Sequence, residues 1–212
     1  MKILVTAGPT REAIDAVRFL SNKSTGKMGY AVAKAAAEAG HDVILVSGPV
    51  ALTPPDGLLE FVPGVSAADM AEAVKLRAPD CGMIVMCAAV ADYTPAPPID
   101  RKLKKNEGNL FLELKRTEDI LKTLGQRKKP GQILVGFAAE TDDLEQYARA
   151  KLAAKNLDWI AANDVSRPDR GFAAGTNAVT LFAADGRRID LPLQSKDAIA
   201  NQMLAILLPS PR

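Results

Sequence analysis

The sequence predicts an α/β fold, a Rossmann-like, mostly parallel sheet with helices on both faces. Three observations predict it. Short apolar runs rich in β-branched residues alternate with helical segments along the chain. The runs are continuous rather than alternating, which is typical of strands that a parallel sheet buries on both faces. Small or polar sequences follow them, as expected where the carboxyl edge of a sheet admits a ligand.

The elements follow one another in a regular order. Apolar runs bounded by turn residues predict strands at residues 2–8, 42–48, 82–90, 132–140 and 157–165. Helix-forming stretches lie between them at residues 28–39, 66–77 and 143–156. Gly40 is the C-terminal signal of the first helix, while Ser66, with Asp69 three residues on, is the N-cap of the second.

Two segments break the alternation. Residues 93–115 begin Pro-rich, turn basic and end in the alternating strand candidate "LFLELK"; we call this segment the arm. Residues 177–193 read as a hairpin with a turn at Asp185-Gly186, and a C-terminal helix follows at about 195–208. With no internal repeat, the chain is predicted to be one domain over residues 1–212.

Composition excludes several classes of protein. A 212-residue chain with 48% hydrophobic residues can bury a core, and a net charge of +2 gives no field that would draw it to nucleic acid or a membrane. No apolar run is long enough to span a bilayer, and no signal peptide is visible, so we expect a cytoplasmic protein. Cys81 and Cys87 are expected to be reduced core residues, and one histidine, His41, offers no zinc or iron cluster.

The stretch "SNKSTGKMG", residues 21–29, resembles three motifs and matches none of them. Asn22-Lys23-Ser24 has the form of a glycosylation acceptor, which conflicts with a cytoplasmic protein. A phosphate-binding loop would need glycine in place of Ser21 and serine or threonine in place of Met28. A dinucleotide site would follow the first strand directly, whereas about twelve residues intervene. What remains is a helix N-terminus able to bind an anion, with Lys23 and Lys27 adding charge. A Gly-containing turn with solvated lysines is the alternative.

Two further signals concern lysines. The spacing of Tyr147 and Lys151 is that of short-chain dehydrogenases, but no serine lies between Ser66 and Ser166. Lys151 and Lys155 share one helical face, which is either a solvated basic face or a binding site for a polyphosphate. The basic run 101–105 lacks the interleaved aromatics of nucleic-acid binding and suits a nucleotide triphosphate better.

Five stretches together resemble one family. "ILVTAGPTREAIDAVRFLSNKSTGKMG", "CAAVADY", "KLKK", "GFAAET" and "KNLDWIAANDV" are similar, in order and over about residues 3–207, to the phosphopantothenate–cysteine ligases of coenzyme A biosynthesis. The pattern resembles the bacterial, CTP-using type, also called phosphopantothenoylcysteine synthetase. The resemblance implies a Rossmann-like fold and a ligase that joins 4'-phosphopantothenate and L-cysteine through an acyl-cytidylate, with release of CMP and pyrophosphate.

The resemblance also implies roles for particular residues. Lys102 of "KLKK" matches the lysine of acyl-cytidylate formation, and Asn22 matches the asparagine that acts on the intermediate and its conversion to product. An amide can donate to a developing oxyanion but is no base near neutral pH, so Asn22 is expected to orient and stabilise. Besides Lys102, the implied nucleotide-binding residues are Met86, Cys87, Ala88, Asp92, Glu118, Asp119, Ile120, Leu121, Phe137, Lys151 and Lys155. The implied substrate- or phosphate-binding residues are Gly8, Ser24, Thr25, Gly26, Lys27 and Ala89.

The family relationship further implies cofactors and partners. Mg²⁺ is expected to arrive with CTP, held by phosphate oxygens and water rather than by protein side chains, and no flavin is expected in this chain. A homodimer is implied, with the arm reaching across to the partner, as is fusion to or association with a flavin-dependent phosphopantothenoylcysteine decarboxylase. A nicotinamide-dependent oxidoreductase is the alternative from another class.

Overall fold

A computed structural model of the chain describes residues 1–96, 100–104, 108–140, 142–164 and 174–208, with the side chains of Glu140 and Asp164 left aside. Its strands are β1 (Lys2–Ala7), β2 (Arg11–Ala13), β3 (Phe19–Ser21), β4 (Asp42–Ser47), β5 (Glu60–Pro63), β6 (Met83–Met86), β7 (Tyr93–Pro95), β8 (Leu114–Arg116), β9 (Ile133–Glu140), β10 (Trp159–Asp164), β11 (Thr176–Ala183) and β12 (Arg188–Ser195). Its α-helices are α1 (Lys27–Glu38), α2 (Ala67–Arg77), α3 (Ile120–Arg127), α4 (Leu144–Ala154) and α5 (Lys196–Leu207).

One eight-stranded sheet organises the molecule, in the order β12-β11-β10-β9-β6-β1-β4-β5. The six strands from β10 to β5 pair in parallel, whereas β10–β11 and β11–β12 pair antiparallel. This confirms the predicted mostly parallel α/β fold and the C-terminal hairpin, which extends one edge of the sheet. Chain order reverses at β1 and β6, and in such sheets ligands bind beyond the carboxyl ends of the strands at this point.

Helices cover both faces of the sheet and create two cores. On one face α1 and α5 pack side by side, burying Tyr30, Val32, Ile199 and Met203. On the other face α2, α3 and α4 contribute a second buried cluster that includes Met70. The Ala-rich sequence of α1 explains its close approach, since small side chains let a helix lie near strand backbone. No helix in the described ranges is long and apolar enough to cross a bilayer.

Local signals in the sequence set several element ends. Ser66 caps α2 with a full capping box, because its hydroxyl accepts from Asp69 N and the Asp69 carboxylate accepts from Ser66 N, as the spacing predicted. The last cap residue of α1 is Ala39, and Gly40 follows in the left-handed region at φ 79°. Gly40 therefore ends the helix from the position just after the cap.

Other expectations were wrong or incomplete. "LFLELK" is a strand only at its end, in β8, which pairs with β7 apart from the main sheet; Leu110 and Phe111 are exposed, so alternation there did not indicate a buried face. The predicted spacer after β1 forms the β2–β3 hairpin, and the sequence did not indicate β5 or α3. Residues 97–99 and 105–107 of the predicted arm and residue 165 of the last predicted strand lie outside the described residues.

Gly29, in the first turn of α1, lies against β1. A Cβ at this position would lie 2.6 Å from Ala7 Cβ and 2.8 Å from Thr6 O, so the helix and the strand can meet this closely only through glycine. We expect Gly29→Ala to lower the free energy of unfolding by about 1–2 kcal/mol, since overpacking outweighs the gain in helix propensity.

Urea unfolding of Gly29→Ala beside Gly175→Ala measures this effect. Gly175 has open space around it, so its variant should remain within about 0.5 kcal/mol of the parent chain. Equal midpoints for the two variants would contradict the close packing of α1 on β1.

Candidate active site

A cavity of about 370 Å³ opens beyond the carboxyl ends of β6 and β9, beside the point where strand order reverses. Its wall is formed by the start of α1, the loop after β6, the start of α3, the end of α4 and the start of α5. Most of the residues proposed from the sequence line it: Ser24, Thr25, Gly26, Lys27, Met86, Cys87, Ala88, Ala89, Asp92, Glu118, Asp119, Ile120, Leu121, Phe137, Lys151 and Lys155. Their common location gives the proposed roles a shared site, while each role stays a prediction.

The N-terminus of α1 forms one wall. Gly26 is the cap residue, at φ 77°, and no side chain caps the helix. A Cβ on Gly26 would also lie 2.9 Å from Val50 Cγ1, so both conformation and space favour glycine here. The helix dipole favours negative charge at this end of α1, so the N-terminus of α1 is a suitable place for an anion.

The loop after β6 is fastened to the loop after β1. Thr6 Oγ1 accepts from Ala88 N at 3.1 Å, and Ala89 N donates to Gly8 O at 2.9 Å. Gly8 does not line the cavity; its carbonyl oxygen instead supports the loop after β6 by accepting this hydrogen bond. The bonds hold the loop backbone at the cavity in one conformation.

Asn22 lies at the rim of this loop rather than in the cavity wall. It is exposed, and its Nδ2 donates to Ala89 O at 2.9 Å. Because Ala89 itself lines the cavity, Asn22 is one residue contact away from any ligand bound there. The structure thus brings Asn22 to the edge of the site without defining a role for it.

Acidic and basic side chains pair at the α3 wall. The predicted turn 118–121 is the N-terminus of α3, where the Asp119 carboxylate accepts from Lys122 N at 3.0 Å and forms an ion pair with Lys155 Nζ at 3.0 Å. Glu118 accepts from Lys75 Nζ at 2.6 Å, and this hydrogen bond holds the pKa of the Glu118 carboxyl below its usual range. Each of the two carboxylates therefore already has a lysine partner within the folded chain.

Lys102 does not line the cavity. Its side chain is exposed, and the backbone of the next residue, Leu103, is bound to the loop between β2 and β3. Sequence similarity pointed to this lysine, but the folded chain alone does not bring it to the other candidate residues.

The cavity also contains residues that the sequence reasoning missed: Met28, Gly29, Val90, Thr117, Ala138, Ala139, Asn163, Asn177 and Lys196. Lys196 is only 6% exposed; burial lowers its pKa, and the charge of Lys27 lowers that pKa further. Lys27 and Lys196 are the first residues of α1 and α5, where a positive charge opposes the helix dipole. That unfavourable placement is the signal from which Lys196 could have been found.

Both cysteines are free, as predicted, and Cys81 is buried. Cys87 lines the cavity, but burial raises the pKa of its thiol to about 12. The thiol is therefore protonated at neutral pH and fills space instead of acting as a nucleophile.

Comparisons with known proteins agree on one relationship. Residues 1–209 match the family described as DNA/pantothenate metabolism flavoprotein C-terminal domain. The chain is 58% identical over 202 residues to "Coenzyme A biosynthesis bifunctional protein CoaBC" of Bacillus subtilis (strain 168), covering 95% of this chain and 50% of the relative. The protein of the same name from Vibrio cholerae is 47% identical over 208 residues, covering 97% of this chain and 52% of the relative.

A solved structure shares the architecture. The crystal structure of the C-terminal domain of Coenzyme A biosynthesis bifunctional protein CoaBC aligns with a TM-score of 0.81 and 46% identity, covering 97% of this chain and 92% of that one. The chain thus spans about half the length of the curated relatives it matches.

Proposed function

The chain belongs to the family of DNA/pantothenate metabolism flavoprotein C-terminal domains, and we propose that it is a phosphopantothenate–cysteine ligase of coenzyme A biosynthesis that uses CTP. The names of its relatives support the pathway. The observation that carries the proposal is the cavity itself, which combines the N-terminus of α1 with four lysines at the ends of helices, Lys27, Lys151, Lys155 and Lys196. An anionic nucleotide is the ligand that such a wall favours.

The proposed reaction has two steps. A carboxylate oxygen of 4'-phosphopantothenate attacks the α-phosphorus of CTP, the bond to the β-phosphate bridge breaks, and pyrophosphate leaves with that electron pair. The amine of cysteine then attacks the acyl carbon, the carbon–oxygen bond to CMP breaks, and the amine nitrogen loses a proton. Negative charge develops on phosphate oxygens in the first step and on the acyl oxygen in the second.

The lysines suit the first step because they surround the place where charge builds. Lys151 and Lys155 enter from the α4 side of the sheet, and Lys27 and Lys196 from the α1 and α5 side. Ammonium groups and helix N–H groups fixed before the reaction stabilise a phosphoryl-transfer transition state without reorganising during it. In this proposal Lys155 exchanges its bond to Asp119 for a phosphate oxygen.

The base of the nucleotide has a candidate location at the loop after β6. Phe137 offers an aromatic surface in the cavity, and Asp92 lies at its edge with the backbone of residues 86–88 close by. Asp92 is itself held in place, since its carbonyl accepts from Thr117 N at 3.0 Å. Stacking on Phe137 and hydrogen bonds to the loop would distinguish one base from another.

Mg²⁺ enters this scheme as part of the substrate, complexed to the triphosphate. In the described ranges no three metal-ligating side chains group together, and two of the carboxylates that line the cavity, those of Glu118 and Asp119, already bind lysines. Phosphate oxygens and water are the ligands that Mg²⁺ prefers in such complexes.

A homodimer is part of the proposal, supported by apolar side chains that the single chain leaves exposed. Phe19 of β3, Tyr93 of β7 and Leu110 and Phe111 of the arm are 46% to 88% exposed, and β2 contacts β7, so the two small sheets adjoin. Large exposed apolar side chains on and beside adjoining sheets are candidates for an interaction site.

We expect Phe111→Glu to weaken self-association, because a charge would have to be buried in the interface. The dissociation constant should rise by about thirtyfold or more, the size of an interface hot spot. Sedimentation equilibrium measures it, with Leu76→Glu, at another highly exposed apolar residue on α2, as the control. An unchanged constant in Phe111→Glu would contradict the arm as the interface.

Pyrophosphate release tests the proposed function. The purified chain should release pyrophosphate with 4'-phosphopantothenate, CTP and Mg²⁺, and should form the cysteine adduct and CMP when cysteine is added. Running the assay with CTP, ATP, GTP and UTP in turn defines the nucleotide. Absence of release with every nucleotide would refute the ligase proposal, and NADPH oxidation in its place would support the oxidoreductase that the comparisons do not favour.

A further inference from the structure

A buried carboxylate joins the β2–β3 loop to the arm. The Asp15 side chain is fully buried, and its two oxygens have different partners. Oδ1 accepts from Val17 N at 2.9 Å and from Arg18 N at 2.8 Å, which closes the loop locally. Oδ2 accepts from Arg18 Nε at 3.1 Å and Nη2 at 2.6 Å. The guanidinium holds the pKa of the Asp15 carboxyl well below its usual range, so the group is ionised at neutral pH.

The same Oδ2 atom reaches the arm. It accepts from Leu103 N at 3.1 Å, while Arg18 Nη2 donates to Leu103 O at 3.5 Å. The Asp15–Arg18 pair therefore binds both backbone groups of one residue, 88 positions away from Asp15. We call this pair together with the Leu103 backbone the arm anchor. Charge-assisted bonds of this kind are stronger than neutral ones and fix direction as well as distance.

The residue that precedes the anchored position is Lys102. Its side chain is exposed to solvent. The position of its backbone depends on the hydrogen bonds that hold the next residue, Leu103. A lysine on a free loop would sample many positions, and a catalytic group must be held close to its productive geometry for rapid reaction.

We propose that Asp15 is a positioning residue, which acts through the Leu103 backbone to hold Lys102 where it meets the α-phosphate. This inference rests on the proposed ligase function and on the role in acyl-cytidylate formation that the family resemblance implies for Lys102. Asp15 touches neither substrate nor cavity; it sets the place from which the lysine side chain extends.

The different partners of the two oxygens give a sharp test. In Asp15→Asn one oxygen remains to accept from Val17 N and Arg18 N, so the local turn persists. The Oδ2 position becomes an amide donor facing the donors of Leu103 and Arg18, so the arm anchor is lost. Asp185→Asn is the matched control, because Asp185 also accepts one backbone N–H and one guanidinium Nε–H, both from Arg187, at a hairpin turn remote from the arm.

We expect Asp15→Asn to slow single-turnover pyrophosphate release by about tenfold to a hundredfold, the effect of a misplaced catalytic group. The dissociation constant for CTP should change no more than in Asp185→Asn, which should keep the parent rate. In a chain that already carries Lys102→Gln, adding Asp15→Asn should change the rate by less than about twofold, because the two residues act through one group.

Two outcomes would overturn the proposal: a parent rate in Asp15→Asn, or a further tenfold loss on top of Lys102→Gln. If Asp15→Asn fails to bind CTP, Arg18→Lys takes its place, since it keeps the charge beside Asp15 but removes the planar fork. Amide hydrogen exchange at Leu103 reports the anchor without any turnover and should be faster in Asp15→Asn than in Asp185→Asn. A parent chain without pyrophosphate release would refute the ligase function, and unchanged exchange would refute the anchor.

Discussion

Replacing Lys102 by glutamine is expected to slow pyrophosphate release by about a hundredfold to a thousandfold, the usual effect of removing one group that stabilises transition-state charge. Glutamine is shorter than lysine and keeps an N–H donor, but it loses the positive charge that would stabilise the negative charge developing at the α-phosphate. CTP should still bind, because Lys27, Lys151, Lys155 and Lys196 remain in the cavity wall. Rapid-quench measurement of pyrophosphate over a single turnover determines the rate.

Lys104→Gln is the control for this experiment. Lys104 is an exposed lysine of the same basic run, two positions away, and its variant should keep the parent rate. Equal rates for the two variants would mean that the arm contributes only a general positive charge, and would contradict a specific role for Lys102.

The position of Lys102 outside the cavity makes a second form of this experiment informative. If the arm acts across a homodimer, mixing Lys102→Gln with Lys151→Gln creates dimers in which one site contains both intact residues. Activity then returns after subunit exchange. If the arm closes over the cavity of its own chain, every site in the mixture retains one defect and activity stays low.

Replacing Asn22 by aspartate is expected to preserve formation of the acyl-cytidylate and to slow its conversion to product by about a hundredfold, the loss typical of an oxyanion donor. The Asn22 amide donates to Ala89 O, whereas a carboxylate accepts only and would repel that carbonyl. Its negative charge would also oppose the charge that develops on the acyl oxygen in the second step. The cations of the first step are untouched.

Mass spectrometry of quenched reactions should reveal the accumulated intermediate in Asn22→Asp. Asn201→Asp is a matched control, because Asn201 also donates its amide to a backbone carbonyl, Asp197 O at 3.0 Å, but lies on α5. Parent turnover in Asn22→Asp, with no intermediate accumulating, would remove Asn22 from the second step.

Much of the fold was predictable because its determinants are local. Continuous apolar runs indicated five of the six parallel strands, β1, β4, β6, β9 and β10, and Ser66 with Asp69 indicated the start of α2. The turn Asp185-Gly186 indicated the hairpin at the sheet edge. The short hairpin β2–β3 and strand β7 were not indicated, and β8 was predicted only as the end of a longer strand, since three-residue strands carry too few side chains for a periodicity to appear.

The candidate site was predictable only in part, because sequence signals are local whereas the site also depends on tertiary packing. Topology predicted that the sequences after the parallel strands meet at one edge of the sheet, and the family resemblance then supplied most of the cavity residues. Lys196 was missed, since only the packing of α5 against α1 brings its ammonium into the cavity. Gly8 proved to be a support for the loop, not a lining residue.

The sequence by itself determined the fold class, the element ends that depend on capping and turn residues, and the family. Tertiary structure alone decided that Lys196 joins the other lysines in the cavity wall, that Asp15 binds Leu103 while Lys102 stays outside that wall, and that Asn22 bonds to Ala89. The physical reason is range. Propensity and periodicity act over a few neighbouring residues, whereas a contact such as that of Asp15 with Leu103 depends on how the whole chain packs.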